Sequence, residues 1–420
     1  MMIKLKSFVS MLLVCAISFS CFSLTAGAVK VDKGYNYDRF KGDDVKIRVF
    51  NWGENISDGT EGTLDVIGEF EKLTGIDVEY TTYPSNEDMY SILKGEKSQY
   101  DIIIPSDYMI GKLIEENMLE KINFDNVPNF NKYCDKKLLN PEYDPENEYS
   151  APYTWGTVCL IYDSSRIKEE ITSWSALWDE KYSGQILMFN NPRDAMAIPL
   201  ILLGYSLNTQ DQSQLKEAAN LLIEQKPLVQ AYVMDEVYEK MGGGNAFIAP
   251  YYVGDAYLIM EDNPDLEICI PEEGTNRFVD AMCIPKNKNL TSSNREKKQE
   301  AEIRKEAAEM FINYMYETQV ALENIEYICY STPHMGAYEL LDDEIKNDKN
   351  LYPSDEFLKT KTESFKNLST KTNRYIDKLW TEIKISGAEN QWAIPFLLIV
   401  CVVISASVSI MRLRKKKREY

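Results

Sequence analysis

Between Val45 and Met118 two hydrophobic periods alternate, and this alternation restricts the fold more than any other feature of the 420 residues. Val45, Ile47 and Val49 alternate with Lys46, Arg48 and Phe50, the period of a strand. Leu64, Ile67, Phe70 and Leu73 then recur at helical spacing, and Gly75 is placed to end that helix. Ile76 to Tyr83 reads as strand, Glu87 to Gly95 as helix and Asp101 to Ile104 as strand. Tyr108 to Met118 reads as helix, with Ile110, Leu113 and Ile114 on one face. Such a succession buries both kinds of element as a mainly parallel sheet with helices on its two faces, so the predicted class is α/β.

In an open α/β sheet, ligands bind beyond the carboxyl ends of the strands. Trp52 and Glu54 follow the first strand at that edge, and Pro105 ends the third strand and delivers Ser106, Asp107 and Tyr108 to the same place. An aromatic ring beside a carboxylate suits an organic cation; a core tryptophan followed by a solvated glutamate fits the same stretch. A polar, turn-rich segment, Asn140 to Ser150, precedes a second α/β unit. Its strands are read at Thr157–Tyr162, Gly184–Phe189, Phe247–Ile248, Leu266–Pro271 and Phe278–Ile284, and its helices at Pro192–Leu203 and Gln214–Glu224. Tyr251, Tyr252 and Asp255 stand where a further helix opens. Asp280 lies between apolar neighbours in a strand, where a carboxylate is costly unless paired. Glu302–Glu317 and Thr370–Ile385 read as long helices.

The ends of the chain have a different character. Lys4 and Lys6, an apolar run from Phe8 to Leu24 and Ala26-Gly27-Ala28 compose an export signal over 1–28. Trp392 to Met411 is apolar and uncharged, with Arg412 to Arg418 strongly basic after it, so 391–411 is expected to be a C-terminal transmembrane helix. Residues 386–390 would be a linker and 412–420 a cytoplasmic tail, with the body anchored on the outer, periplasmic or extracellular side. The formal net charge of -20, with that basic tail set aside, leaves an acidic body that repels nucleic acid and attracts cations. Cys134, Cys159, Cys269, Cys283 and Cys329, outside the two apolar ends, have no metal spacing, and the apolar runs around three of them favour buried thiols, with room for one bridge.

Catalytic signatures are scarce. His334 is the only histidine, expected as a polar loop residue after Pro333, and Gly242-Gly-Gly244 lacks the lysine and spacing of a phosphate cradle. No enzyme activity, cofactor or metal is expected; ligand capture is.

The stretches Phe50-Asn-Trp-Gly-Glu54, Tyr83-Pro-Ser-Asn-Glu-Asp-Met-Tyr90, Asp101-Ile-Ile-Ile-Pro-Ser-Asp-Tyr108, Tyr149-Ser-Ala-Pro-Tyr-Thr-Trp-Gly156, Thr172-Ser-Trp-Ser-Ala-Leu-Trp178, Leu203-Gly-Tyr205 and Tyr330-Ser-Thr-Pro333 occur in an order that resembles the spermidine/putrescine-binding proteins of ABC importers. The resemblance covers roughly 45–380. It implies a type II periplasmic-binding-protein-like fold whose two lobes close on the ligand, with 45–152 and 281–352 in lobe 1 and 153–280 and 353–385 in lobe 2. It also implies a polyamine ligand, and ABC permease and ATPase subunits as partners.

By the same resemblance, Trp52 would stack on the methylene chain, Glu54 would lie near an ammonium group, and Ser106 and Tyr108 would add a hydroxyl and a ring. Asp194, Tyr252, Asp255 and Phe278 fall at contact positions, Asp280 matches the acid on a terminal ammonium, and Tyr330 matches a phenol at the lobe interface. A flexible polycation asks for such an arrangement: acids at its charged ends and aromatic faces along its stem. Asn191 replaces an aspartate that holds one end of spermidine, which leaves putrescine slightly favoured. A sensor ectodomain, a binder of another small ligand, or a hydrolase using paired acids are the competing readings.

Overall fold

The computed structural model describes residues 29–95 and 100–386. The expected signal segment, the span 391–411, the tail 412–420 and the linker after Ser386 lie outside the described residues. Among those described, no helix is long and apolar enough to cross a membrane, so the expected transmembrane helix is no part of the described fold, which is corrected to the α/β body alone. The last helix, Thr370–Ile385, has the opposite pattern to a span: Ile376, Leu379 and Ile383 are buried against the body while Lys371, Arg374 and Lys378 face solvent.

Among the described residues, eleven strands form one continuous sheet. They are β1 (Lys46–Trp52), β2 (Asp77–Tyr83), β3 (Ile102–Ile103), β4 (Leu119–Glu120), β5 (Ser150–Asp163), β6 (Ile186–Phe189), β7 (Val229–Val233), β8 (Ile248–Tyr252), β9 (Leu266–Cys269), β10 (Thr275–Pro285) and β11 (Thr362–Glu363). The main path runs β2-β1-β3-β10-β5-β8-β6-β7. Parallel pairing is found toward the two edges, where β1 lies beside β2 and β3, and β6 beside β7 and β8. The centre is antiparallel, because β5 and β10 run against each other and against their outer neighbours β8 and β3.

Those two long strands join two halves with separate cores. In one half Ile47, Val49, Phe70, Met310 and Phe311 pack together; in the other, Leu160, Trp174, Met188, Leu222 and Ile248 do so. The C-terminal helix returns to the second half, where Leu379 and Ile383 complete the core. The residues of β5 are buried almost throughout, as a strand covered on both faces must be. The register of β5 and β10 shifts between Asp280 and Ala281, a bulge at the place where the two halves meet.

Two sequence expectations change. The helix expected over Glu302–Glu317 starts earlier and ends sooner: Arg295–Met315 is followed after Tyr316 and Glu317 by a second helix, Thr318–Ile328. His334, expected only as a polar loop residue after Pro333, lies outside the helix it precedes but is 2% exposed and stacked on Tyr133 at 4.5 Å. Its Nδ1 accepts the Ala337 N–H at 2.9 Å and caps helix Met335–Leu340, and Nε2 lies 3.0 Å from the Tyr316 carbonyl. Burial lowers its pKa to about 4. The five cysteines among the described residues are all free thiols.

Candidate functional site

The cleft between the halves is built where β1, β3, β8 and β10 end or bend. Parallel pairing of β1 with β2 sets Trp52 opposite Tyr83, and the rings lie 4.8 Å apart at a tilt. The Trp52 indole N–H donates to the Ile104 carbonyl at 2.9 Å, which orients one ring face along the cleft. Past β3, Ser106 stands at the N-terminal cap of helix Asp107–Glu115 but makes no side-chain bond to that helix. Its hydroxyl donates instead to Asp280 Oδ1 at 2.6 Å, reaching from one chain segment to another far away in sequence. A capping serine diverted from its helix gives up roughly 1 kcal/mol of helix stability. Here that cost serves to fix a carboxylate.

The opposite wall comes from two helix starts. Asn191 caps helix Pro192–Leu202, its Oδ1 accepting the Asp194 N–H at 2.8 Å and its Nδ2 donating to Asp194 Oδ2 at 2.7 Å. The Tyr252 hydroxyl donates to the same Asp194 oxygen at 2.8 Å. Tyr252 begins helix Val253–Asp262, whose first turn carries Asp255, and Tyr238 donates to Asp255 at 2.9 Å. Phe278, on β10, meets Tyr252 edge-on at 5.3 Å and Tyr330 at 6.1 Å. A Cβ on Gly254 would come within 2.5 Å of the Tyr330 ring, so only glycine lets that ring lie against the helix start.

These elements enclose about 780 Å3 of space continuous with solvent. The lining brings together Trp52, Ser106, Tyr108, Asn191, Asp194, Tyr252, Asp255, Phe278, Asp280 and Tyr330. Glu54 is not among them: it is exposed, with backbone φ of 48°, beside the cleft rather than in it. Asp107, Glu87, Asp235, Asn86 and Phe365 line it as well and were not picked out from the sequence as site residues. Glu87 lies inside a stretch that carried the family likeness, so a signal for it existed. Asp235 follows β7, a strand whose mixed Val-Gln-Ala-Tyr-Val pattern gave no clear period.

The charge is one-sided. Among the described residues the lining contains six carboxyl groups, Glu87, Asp107, Asp194, Asp235, Asp255 and Asp280, and no lysine or arginine. Arg193 sits behind the wall, buried, its guanidinium 4.4 Å over Phe365 and 5.3 Å over Tyr108, donating to the Lys366 carbonyl and to Asn208 Oδ1. Burial raises the Asp280 and Asp255 pKa values to about 7, Asp280 further through the neighbouring Asp255 and Asp194 charges. Burial also raises Asp194 and Glu87, and Asp107 well above the carboxylate range. One oxygen of Asp107 accepts the Tyr108 N–H and the other has no partner. No group of three histidine, cysteine or acidic side chains able to hold a metal ion occurs among the described residues.

A two-half α/β body with an acidic, aromatic cleft at its centre defines a binder of small solutes. The chain belongs to the bacterial extracellular solute-binding proteins, whose family model matches residues 97–361. The family binds solutes and is not one of enzymes. The spermidine/putrescine-binding periplasmic protein of Salmonella typhimurium is 34% identical over 74% of this chain and 84% of its own length. A solved structure described as a putative spermidine/putrescine ABC transporter from Listeria monocytogenes is 35% identical, with a TM-score of 0.72 over 81% of this chain and 99% of that one. The spermidine/putrescine ABC transporter substrate-binding protein of Streptococcus pneumoniae, solved with calcium and HEPES, is 34% identical at a TM-score of 0.66, covering 82% of this chain and 99% of that one. The match to the Listeria monocytogenes structure supports a two-lobe periplasmic-binding-protein fold with α/β content for this chain.

Proposed function

We propose that the protein captures a polyamine, putrescine or spermidine, between two lobes and delivers it to the permease of an ABC importer. Lobe 1 comprises 45–152 and 281–352, and lobe 2 comprises 153–280 and 353–385. The observation that carries this reading is the uncompensated negative charge of the cleft: carboxylates with no basic side chain in the lining, placed among aromatic faces. A neutral sugar would leave those acids unpaired, whereas a linear polycation pairs them and covers the rings with its methylenes. Asp280 takes one ammonium with Ser106 behind it, Trp52, Phe278 and Tyr330 flank the stem, and Asp194 and Asp255 take further charge.

Calorimetric titration with putrescine, cadaverine, spermidine and spermine at physiological salt tests the reading. One-to-one binding of one of them, tighter than the others, is the expected result. Absence of heat with all four, followed by binding of an amino acid or sugar, would withdraw the polyamine while leaving the fold untouched.

A further inference from the structure

At the Asn191 end of the cleft the obvious polar residue is already occupied. Asn191 is neutral, and both ends of its amide serve the helix cap and Asp194. A second carboxylate reaches that end from the other half of the molecule. Glu87, in the first turn of helix Asn86–Lys94, lines the cleft and accepts the Tyr108 hydroxyl at 3.0 Å. Arg193, the neighbour of Asp194 in the chain, lies 5.3 Å over the ring of Tyr108, whose hydroxyl meets Glu87, so both acids line the cleft beside one guanidinium. Burial raises the Glu87 pKa, and the Asp194 charge adds to that.

Arg193 explains how both are tolerated. Its guanidinium acts favourably on Glu87 and on Asp194 from behind the wall, and its donors are turned to Lys366 and Asn208. Asp107 shares the same guanidinium, so three acids face one buried cation and the cluster keeps negative charge for an ammonium group. The Tyr108 and Tyr252 hydroxyls each donate to one of the acids, so each carboxylate keeps lone pairs for a further donor.

We propose that Glu87 is a ligand-contacting residue that shares one ammonium group of the bound polyamine with Asp194, so that this contact needs both walls of the cleft. It rests on the reading of the protein as a polyamine binder. Because the two acids come from different halves, the ammonium between them ties the halves together. A ligand lacking that ammonium leaves two like charges facing each other.

The test is calorimetry with putrescine and spermidine on the full chain and on E87Q, E87D, Y108F, E87Q/Y108F, D194N and E87Q/D194N. For whichever polyamine the wild type binds, E87Q should weaken affinity by about tenfold or more, and E87D, which keeps the charge, should recover most of the loss. The E87Q loss should persist in the Y108F background and should be non-additive with D194N, since both acids serve one ammonium. Affinity of E87Q within about twofold of wild type would overturn the proposal. So would a loss that disappears in the Y108F background, which would make Glu87 an orienter of Tyr108 only. Should E87Q fail to fold, an E87D affinity equal to wild type supports the charge, and one as weak as that of Y108F opposes it. If the wild type binds neither polyamine, the wider reading fails first and this contact with it.

Discussion

Replacing Asp280 by asparagine should raise the stability of the ligand-free protein while it lowers affinity for ligand. The Asp280 carboxyl, 8% exposed, has its pKa raised from the ordinary 3.8 to about 7 by burial and by neighbouring acids. Each pKa unit is about 1.4 kcal/mol, so keeping this group charged in the folded protein at pH 8 costs about 2 to 4 kcal/mol, the lower figure allowing for its coupling to Asp255. The sign follows from proton counting. Between pH 4 and 7 the folded state holds a proton that the unfolded state has lost, so the stabilisation is complete below the unfolded pKa and is lost as pH rises through about 7. Asparagine does not titrate, and its side-chain oxygen still accepts from the Ser106 hydroxyl. Denaturant unfolding of the ligand-free protein should therefore show the variant more stable at pH 8 and its advantage shrinking toward pH 5. Calorimetry should show affinity weakened by about 2 to 5 kcal/mol through loss of a charge-assisted pair. A D280N protein that is less stable than wild type at pH 8, has the same pH slope, and binds polyamine as wild type does would refute the reasoning at every step.

Other expectations concern single contacts. Trp52→Ala should weaken polyamine binding by about tenfold while changing stability little, because the ring is part-exposed to the cleft; calorimetry and thermal unfolding together separate the two effects. Gly254→Ala should displace the Tyr330 ring, since the added carbon would meet it at 2.5 Å, and should lower affinity; an unchanged dissociation constant would show that the ring moves aside at no cost. His334→Asn keeps a side-chain cap but removes a buried imidazole whose pKa is lowered to about 4, so the wild type should lose up to about 3 kcal/mol between pH 6.5 and 4 through this residue and the variant should not. Difference unfolding curves at pH 7 and pH 4.5 measure that contrast, which runs opposite in sign to the Asp280 effect.

The alternation from β1 to helix Asp107–Glu115 was legible because each element keeps one period and ends at a residue that forces an end, such as Gly75, which adopts the left-handed region at the C-cap of Val66–Thr74. The antiparallel centre was not. A strand buried on both faces, as β5 is, has a run of apolar residues that gives no direction and no partner. The helix expected over Glu302–Glu317 stops within two residues of the observed end at Met315, but the helix that follows, Thr318–Ile328, was not read. Among the cleft residues, Trp52 and Asp280 could be singled out since a ring at a strand end and an acid in an apolar strand are each locally anomalous. Glu87, in the first turn of a helix among other acids, is locally ordinary; beyond its place in a stretch of family likeness, it is distinguished by the tertiary approach of Tyr108 and Arg193. The terminal apolar run, read as a membrane span from its charge-free length and the basic cluster after it, lies outside the described residues, among which no helix could cross a membrane.

The register shift beside Asp280 has a kinetic meaning. Strands shared by two bodies lie on the axis about which those bodies turn, and a point on an axis moves least. On the proposed closure, Trp52 and Asp194, carried on opposite arms, would separate as the cleft widens, while Asp280, at the bulge of a shared strand and bonded to Ser106, would move least. An arriving ammonium group would then meet its anchoring charge before the rings and the far acid cover it. On departure the order would reverse, and the arms rather than the anchor would set the rate of release.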